Sequence, residues 1–456
     1  MAHPTLPQDL SVASRTGADC DPVIGVLGCG YLGAVHAASL AHWGFRVLGF
    51  DPVESKVQML STGRSPFFEE GLDQLLSEGV SSDRLSFTTD MSRLNSCSLV
   101  FLCVGTPQAA GSPAADLSQL ESAFSACLEH MPSGGLVVGK STVPVGTAAG
   151  LLVAARARGL RLAWNPEFLR EGTAVQDTLT PDRIVLGVTD SLSESELRGV
   201  YDRAIAEGSA VVVTDLATAE VIKTAANAFL ATKISFINAV GELCDASGAD
   251  VEGVAHALGL DERIGPKFLK AGIGYGGGCF PKDVRALAHR AGELGAPSLE
   301  AMLLATDTTN LAARRRGLDM VLERIEGVDA PRVGVLGAAF KPGSDDLRDS
   351  PAVWLVRALR EARPDVRIAW HDPVLAGHEV EGLVLDASPS AAAADADLVV
   401  IVTDWTEYRE LDPASLNPAR RAIVDLRNCL YGPRWVRAGW SVGYLGRPDL
   451  SARHRS

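Results

Sequence analysis

Three features that the 456-residue sequence lacks narrow its function. No apolar stretch reaches the ~20 residues that cross a bilayer, so we expect no membrane association. None of its eight cysteines form a C-x-x-C pair, which argues against zinc, and we expect no metal. The chain also lacks an excess of cationic residues: its net charge of -14 argues against general nucleic-acid binding.

The N-terminal segment has no apolar stretch of the kind that signal peptides carry. Its first twenty residues, MAHPTLPQDLSVASRTGADC, predict a polar, disordered leader, and RPDLSARHRS predicts a similar tail. Without a secretion signal, we expect the protein in the reducing cytoplasm, without disulfides.

The segment VIGVLGCGYLGAVHAASLAHWGFRVLGFDP, residues 23–52, predicts a strand, a glycine turn, an alanine-rich helix and a second strand. Gly28, Gly30 and Gly33 form G-x-G-x-x-G at the turn, and Asp51 closes the second strand. This pattern is the dinucleotide-binding fingerprint. The Asp51 carboxylate would bind the ribose hydroxyls and repel the 2′-phosphate of NADP, so NAD is the expected cofactor.

The remaining pattern predicts an α/β protein with two Rossmann-like, doubly wound parallel-sheet domains joined by a helical middle domain. The later motif PRVGVLGAAF is similar to PVIGVLGCGY but has Gly337-Ala338-Ala339 in place of the fingerprint, so we expect it to bind another nucleotide. The expected domains are 22–215, 216–325 and 326–450. Further parallel strands are predicted at 98–107, 135–144, 161–168, 183–188 and 210–215.

The middle domain begins with the alanine-dense segment LATAEVIKTAANAFLATKISFINAVGELCDASG, which has no glycine until Gly241. Small residues allow close helix packing. The segment therefore predicts a long central helix and a homodimer formed through residues 216–245.

The stretch GYGGGCFPKD, residues 274–283, places one cysteine beside three glycines. Glycine allows a close approach of the backbone to a ligand, which favours Cys279 as a nucleophile at an opening. A flexible loop with a buried thiol is the alternative.

Eight separated motifs, in order, resemble the UDP-glucose/GDP-mannose dehydrogenase family over residues 23 to about 445. They are GCGYLG, LCVGTP, GKSTVPVGT, NPEFLREG, VIKTAANAFLA, RIGPKFLKAGIGYGGGCFPKD, AFKPGSDDLRDSP and VDLRNCL. The resemblance implies a four-electron oxidation of UDP-glucose at C6 to UDP-glucuronate, with two NAD consumed and with thiohemiacetal and thioester intermediates on Cys279. GDP-mannose or UDP-HexNAc as substrate, a single-hydride dehydrogenase and a catalytically silent NAD-binding protein are the alternatives.

The resemblance also implies residue roles. The catalytic residues would be Cys279, Lys223, Asn227, Asp283, Thr142, Glu171 and Glu167. Lys223 and Asn227, four apart on one helix face, would bind the developing oxyanion, and either Glu167 or Glu171 would be the general base.

Two further groups of residues would hold the ligands. Besides the fingerprint glycines and Asp51, the cofactor contacts would be Lys56, Thr106, Thr142, Glu171, Lys282 and Arg348. The substrate contacts would be Glu167, Phe168, Leu169, Arg170, Glu171, Lys223, Asn227, Arg263, Phe268, Leu269, Lys270, Ala271, Gly272, Gly276 and Lys341, with Arg427 a weaker candidate. Arg263 would reach the neighbouring subunit's site.

Overall fold

The computed structural model describes residues 23–451. The predicted N-terminal leader and Cys20 lie outside the described residues, as do residues 452–456 at the C-terminus.

An eight-stranded sheet forms the N-terminal part, in the order β3-β2-β1-β4-β5-β6-β7-β8. Its strands are β1 Val23–Leu27, β2 Arg46–Phe50, β3 Leu85–Thr88, β4 Cys97–Leu102, β5 Leu136–Gly139, β6 Arg161–Trp164, β7 Arg183–Gly187 and β8 Ala210–Thr214. The strand order reverses between β1 and β4, and such a reversal opens a ligand crevice at the carboxyl ends of the strands.

Two strands, β7 and β8, run opposite to the rest of the sheet, which differs from the prediction that all strands are parallel. β7 pairs antiparallel with β6, with Trp164 opposite Gly187, and β8 then pairs parallel with β7. Asn165, just after β6, donates its Nδ2 to the Val185 carbonyl at 2.9 Å. β7 therefore starts at the end of the sheet where β6 finishes, without a crossover connection to the opposite end.

Helices cover both faces of this sheet. They are α1 Tyr31–His42, α2 Glu54–Ser61, α3 Leu72–Ser81, α4 Ser118–His130, α5 Thr147–Ala157, α6 Ala174–Leu179, α7 Ser191–Val200 and α8 Asp202–Ala206, with a 3-10 helix at Met91–Ser96. Alternate residues of β4 show the two layers: Leu99 and Phe101 join the core under α1, whereas Val100 and Leu102 join the core under α4. This is the predicted doubly wound arrangement.

The middle part is helical, with α9 Leu216–Ser247, α10 Val251–Gly259, α11 Phe280–Glu293 and α12 Pro297–Arg324. α9 spans about 48 Å, because each helical residue rises 1.5 Å. Asp215 caps its start by accepting the Thr218 N–H at 2.9 Å, and Gly248 ends it with φ +75°. α9, α11 and α12 pack on one another, so α9 is the predicted long central helix.

A five-stranded parallel sheet forms the C-terminal part, in the order β10-β9-β13-β14-β15. The strands of this part are β9 Arg332–Leu336, β10 Arg367–His371, the hairpin β11 Glu379–Val380 and β12 Leu383–Val384, β13 Leu398–Ile401, β14 Ala422–Asp425 and β15 Ser441–Tyr444. Its helices are α13 Pro351–Ala362, α14 Pro389–Ala393, α15 Thr406–Glu410 and α16 Gly432–Arg437, with a 3-10 helix at Pro413–Ser415. It repeats the first sheet's strand-order reversal, between β9 and β13, and this reversal opens a second crevice at the carboxyl ends of its strands.

The start of the predicted disordered tail is ordered. Leu450 and Val442 exchange backbone hydrogen bonds at 2.8 and 2.9 Å, and Arg447 pairs with Glu252 at 2.8 Å. These contacts fasten residues 447–450 to β15 and α10, which the polar composition alone did not indicate.

Within residues 23–451, no helix combines the length and apolar character that spanning a bilayer requires.

Candidate active site

The fingerprint turn lies in the crevice between β1 and β4. Gly28 has φ +87°, and a Cβ on Gly33 would lie 1.8 Å from the Gly28 carbonyl oxygen, so glycine is required at both positions. A Cβ on Gly30, by contrast, would meet no protein atom within 4 Å. The space over Gly30, at the start of α1, therefore fits a pyrophosphate.

The Asp51 carboxylate follows β2 beside this turn. It accepts the Cys29 N–H at 3.1 Å, the Val53 N–H at 3.0 Å and the Lys56 ammonium at 2.7 Å. The structure thus brings Asp51 and Lys56 together with the predicted NAD-binding glycines. An acid in this position fits the ribose end of a dinucleotide.

A cleft of about 370 Å³ lies further along the same crevice. It is lined by residues from the loops after β4 and β5, from α9 and from α11, including Thr106, Thr142, Thr224, Lys282 and Asp283. Thr106 Oγ1 donates to the Thr142 carbonyl at 2.7 Å, which joins the two loops. Three predicted NAD contacts and one predicted catalytic acid therefore share one cleft.

Cys279 is the residue at the N-terminus of α11, and its side chain is exposed. Desolvation by the surrounding protein raises the pKa of the Cys279 thiol and Asp283 raises it further, whereas Lys223 and Lys282 oppose them. The thiol therefore needs the nearby cations in order to ionise near neutral pH.

Asp283, one turn after the cysteine, organises the polar groups around it. Its carboxylate accepts Asn227 Nδ2 at 2.7 Å and Lys282 Nζ at 2.6 Å. Desolvation lowers the pKa of Lys223, one turn before Asn227 on α9, although Asp283 and Cys279 oppose this shift. The predicted thiol, lysine, amide and acid therefore form one cluster between α9 and α11.

The three glycines before Cys279 pack against the C-terminal part. A Cβ would lie 2.2 Å from the Asp349 oxygen at Gly276, 2.6 Å from the Phe340 ring at Gly277 and 2.4 Å from Arg348 at Gly278. The atoms that exclude a side chain at these positions are the protein's own, from residues 340–349. The predicted close approach of this backbone to a ligand stays a prediction.

Glu167 is held in a buried ion pair. Its Oε2 lies 2.9 Å from Lys140 Nζ, and its Oε1 accepts the N–H groups of Phe168 and Leu169 at 2.7 and 3.0 Å. Burial acts to raise the pKa of Glu167, but Lys140 outweighs it and the net pKa is lowered. Glu167 is therefore an ionised group with both oxygens occupied.

Glu171 differs from Glu167 although it lies four residues away. It accepts Ser344 Oγ at 3.3 Å and lies 3.2 Å from an Arg348 guanidinium nitrogen, so it contacts the C-terminal part. Burial, with Asp346 adding to it, raises the pKa of Glu171 to about 7. Of the two predicted general bases, only Glu171 has a pKa in the range that suits proton transfer near neutral pH.

The Phe168 ring, on the predicted substrate side, lies near two cations. Lys223 Nζ is 5.3 Å from its ring centroid and Arg183 Cζ is 3.9 Å from it. Arg170, in contrast, is exposed and pairs with Asp177 at 2.5 Å.

The predicted nucleotide-binding loop, residues 268–272, is fastened to α9 and to the second sheet. The Gly272 N–H donates to Asn238 at 2.8 Å, and Lys270 pairs with Asp404 at 2.9 Å. Phe268 has φ +65°, and its ring centroid lies 6.1 Å from that of Phe280, next to Cys279. The loop therefore lies at the junction of Cys279 with the second crevice.

Lys341 and Arg427 border the second crevice. Lys341 Nζ lies 5.3 Å from the Phe340 ring centroid, and burial lowers its pKa. Arg427 donates to the carbonyls of Val402, at 2.6 Å, and Gly274, at 2.8 Å.

One predicted site residue is not brought to the cluster. Arg263 has 85% of its side chain exposed and pairs only with its neighbour Asp261 among the described residues. Its predicted role in a neighbouring subunit requires a second chain.

The prediction missed several buried charges that hold the site together. Lys140 pairs with Glu167, Glu69 accepts the N–H groups of Gly172 and Ala174 at 2.7 Å each, and Glu220 is buried on α9. A lysine at the end of an apolar strand, as in LVVGK, was the one available signal for Lys140.

Comparison with known proteins identifies the family from three separate segments. The NAD binding domain model of the UDP-glucose/GDP-mannose dehydrogenase family matches residues 23–205, its central domain model matches 217–312 and its UDP binding domain model matches 334–432. The chain belongs to this family. Membership makes it an NAD-dependent oxidoreductase, in agreement with the sequence prediction.

Relatives in the family cover nearly the whole chain. A UDP-glucose 6-dehydrogenase of Rhizobium meliloti is 40% identical over 442 residues, covering 93% of this chain and 100% of that protein. UDP-glucose 6-dehydrogenase TuaD of Bacillus subtilis is 38% identical, covering 94% of each. The solved UDP-glucose dehydrogenase of Pyrobaculum islandicum is 35% identical, with a TM-score of 0.85, and covers 96% of this chain and 100% of that one.

Proposed function

We propose that the chain is a UDP-glucose 6-dehydrogenase that oxidises the C6 alcohol of UDP-glucose to the carboxylate of UDP-glucuronate, with two NAD consumed per sugar. The observation that carries the proposal is the cluster of Cys279, Lys223, Asn227 and Asp283 between the two crevices. Relatives named UDP-glucose 6-dehydrogenase at 36–40% identity support this substrate.

The residues that fit NAD are the fingerprint glycines, Asp51 and Lys56 at the adenosine end, and Thr106, Thr142 and Lys282 in the cleft. Two NAD molecules, bound there one after the other, would each accept one hydride. The protein's own task is to make the aldehyde formed in the first stage able to lose a second hydride.

Cys279 performs that task in the proposal. Its thiolate forms a bond to the aldehyde carbon, and the carbonyl oxygen takes a proton to give a thiohemiacetal with a C–H beside an O–H. Loss of hydride and of the hydroxyl proton gives a thioester. Water then adds to the thioester carbon, the C–S bond breaks, and the acid and the free thiol are released.

Lys223 and Asn227 stabilise the oxygen on which negative charge develops at each addition. The Asp283 carboxylate fixes the Asn227 amide by accepting one of its N–H groups. Lys223 also favours the Cys279 thiolate, because its charge lowers the thiol pKa.

We assign the proton transfer from the hydrolytic water to Glu171 rather than to Glu167. The pKa of Glu171 is raised to about 7, whereas the Glu167 oxygens already accept three hydrogen bonds, one of them from Lys140. In this assignment, Glu167 positions Phe168 and Leu169 against the substrate.

The nucleotide of the substrate would lie in the second crevice. Lys341 at its mouth offers a charge to the diphosphate, and residues 268–272 and Gly276 line the way to Cys279. The match of residues 334–432 to the family's UDP binding domain supports this placement.

A homodimer through residues 216–245 is part of the proposal. Phe229, Phe236 and Leu243 recur every seven residues along α9 and are 67%, 55% and 67% exposed. Residues seven apart share one helix face, so these three form an apolar stripe that suits a second copy of the chain. The cytoplasmic location expected from the sequence stays a prediction.

The experiment is the yield of NADH per UDP-glucose consumed, together with mass spectrometry of Cys279→Ser and Cys279→Ala incubated with both substrates. We expect two NADH per sugar, loss of turnover in both variants and unchanged binding of UDP-glucose. Cys127→Ala, on the buried face of α4, is the matched control and should keep full activity.

The other yields contradict the proposal in different ways. One NADH per sugar would indicate a single-hydride dehydrogenase, and none would indicate another nucleotide sugar or a silent protein. Near-normal UDP-glucuronate production by Cys279→Ala would exclude the covalent step.

A further inference from the structure

Glu220 is a buried carboxylate that the proposed chemistry does not use. It lies on α9 one turn before Lys223, and it is 2% exposed. Its Oε2 accepts the Gly146 N–H and its Oε1 accepts the Ala148 N–H, both at 2.7 Å. Burying an ionisable group is unfavourable unless its hydrogen bonds are made, so these two bonds define what the residue does.

The two bonds cap α5 from a distant part of the chain. Gly146, at the start of α5, has φ +99° and no side-chain cap of its own. The first N–H groups of a helix lack partners within it, and here Glu220, 72 and 74 residues later, supplies them. This carboxylate therefore joins the turn after Thr142 to the helix that carries Lys223 and Asn227.

Arg290 makes a second connection to the same turn from α11. Its Nε donates to the Val145 carbonyl at 2.9 Å, and its guanidinium would lie 3.2 Å from a Cβ on Gly146. Arg290 also lowers the pKa of Glu220, which burial raises overall. α11 begins beside Cys279 and carries Asp283, so the turn is held by both helices that form the catalytic cluster.

The other end of the segment is fastened to the loop after β4. Ser141 Oγ donates to the Val104 carbonyl at 2.7 Å, and Thr106 Oγ1 donates to the Thr142 carbonyl at 2.7 Å. The walls of the 370 Å³ cleft are therefore four segments, the loops after β4 and β5 and the helices α9 and α11. Glu220 and Arg290 join the loop after β5 to the two helices at one end.

We propose that Glu220, with Arg290, is a positioning residue that holds the Thr142 turn against α9 and so sets the shape of the cleft that takes the nicotinamide end of NAD. The inference rests on the proposed function for its catalytic consequence. The expected change in NAD affinity depends only on the assignment of the first crevice as the NAD-binding site.

The test is Glu220→Gln. Glutamine keeps the side-chain shape and one acceptor oxygen, but it places an NH₂ group against one of the two backbone N–H donors. Asp190→Asn is the matched control, because Asp190 caps α7 through the Ser193 N–H at 2.8 Å in the same domain. Arg290→Gln and the double variant complete a cycle.

We expect the Kd for NAD, measured by titration without sugar, to rise at least fivefold in Glu220→Gln, and kcat to fall at least tenfold. KM for UDP-glucose should stay within twofold, because the second crevice is not involved. The double variant should bind NAD no more weakly than the weaker single variant, since both residues hold one turn. Asp190→Asn should lower the melting temperature at most, and it should leave the Kd for NAD and kcat unchanged.

An NAD affinity and kcat within twofold of wild type in folded Glu220→Gln would overturn the inference. Equal increases in the Kd for NAD and the KM for UDP-glucose would overturn it as well. Should Glu220→Gln not fold, Arg290→Gln carries the same test. If the wild type fails to oxidise UDP-glucose, the proposed function fails while the NAD titrations still decide the role of Glu220.

Discussion

Replacing Glu167 by glutamine separates a structural from a chemical role for this residue. The Glu167 carboxylate is the counter-ion of Lys140, which is 3% exposed and also donates to Asn165 at 3.0 Å and to Tyr201 at 3.3 Å. Burial acts to lower the pKa of Lys140, but Glu167 outweighs it and the net pKa is raised. Glu167→Gln therefore leaves a buried cation without its anion.

The magnitude follows from the burial of the two partners. Removing one member of a buried ion pair costs about 3–5 kcal/mol, and the partial exposure of Glu167, 15%, favours the lower figure. For a domain of this size, 1 kcal/mol shifts Tm by roughly 2–4 °C, so about 3 kcal/mol corresponds to a Tm lower by roughly 6–12 °C. Lys140→Met with Glu167→Gln should recover more than half of that loss, since the uncompensated charge is removed.

The assay is thermal unfolding followed by circular dichroism, alongside kcat. Glu194→Gln, which breaks an exposed pair with Arg198 on α7, is the control and should cost under about 1 kcal/mol. A Glu167→Gln variant with wild-type Tm and a hundredfold loss of kcat would refute the structural role, because the carboxylate would then act in the chemistry.

Three further predictions concern the cofactor, pH and domain assembly. Asp51 should give NAD a kcat/KM at least tenfold above that of NADP, about 1.4 kcal/mol, and Asp51→Asn should narrow the ratio; equal wild-type values would contradict this. Because the pKa of Glu171 is raised to about 7, the folded protein holds a proton that the unfolded chain releases from about pH 4.5. Wild-type Tm relative to Glu171→Gln should therefore fall from pH 4.5 to 7, and a rise would count against the assignment. Arg314→Ala, which removes a buried guanidinium that pairs at 2.7 Å with the partly exposed Asp349, should cost about 3 kcal/mol in urea unfolding, whereas the exposed Arg357→Ala should leave the urea midpoint almost unchanged; equal shifts would refute it.

The fold could be predicted because its signals are local. Apolar strands buried on both faces read as continuous apolar runs, and the glycine turn marks where the first strand meets its helix. The antiparallel direction of β7 could not be predicted, because it depends on where the chain leaves β6 and not on the residues of β7 themselves. The order of residues 447–450 likewise depends on contacts with β15 and α10.

The grouping of the four proposed catalytic residues was predicted through motifs, whereas the groups that support it were not. Two short motifs contain all four residues: Lys223 and Asn227 lie in one, and Cys279 and Asp283 lie in the other. The motifs could therefore be recognised from the sequence alone. Glu220 contacts residues 72 and 74 positions away, and nothing in VIKTAAN or in KSTVPVGT indicates that contact. Supporting contacts of this kind become visible only when the packing of α5 on α9 is known.

The glycine loop has a packing role that its motif did not indicate. Glycine beside a reactive cysteine suggests room for a ligand, but the side chains excluded at Gly276 and Gly278 would collide with Asp349 and Arg348. The Gly277 N–H also donates to the Arg348 carbonyl at 3.0 Å. Because this contact needs bare backbone, the loop that carries Cys279 can lie directly on the C-terminal part. Glu171 meets Ser344 and Arg348 from the other side, so the cysteine loop, the N-terminal crevice and the segment around Arg348 come together at one point. A change that moves the C-terminal part away from the glycines would therefore separate the thiol from the group proposed to activate water, even with every catalytic residue intact.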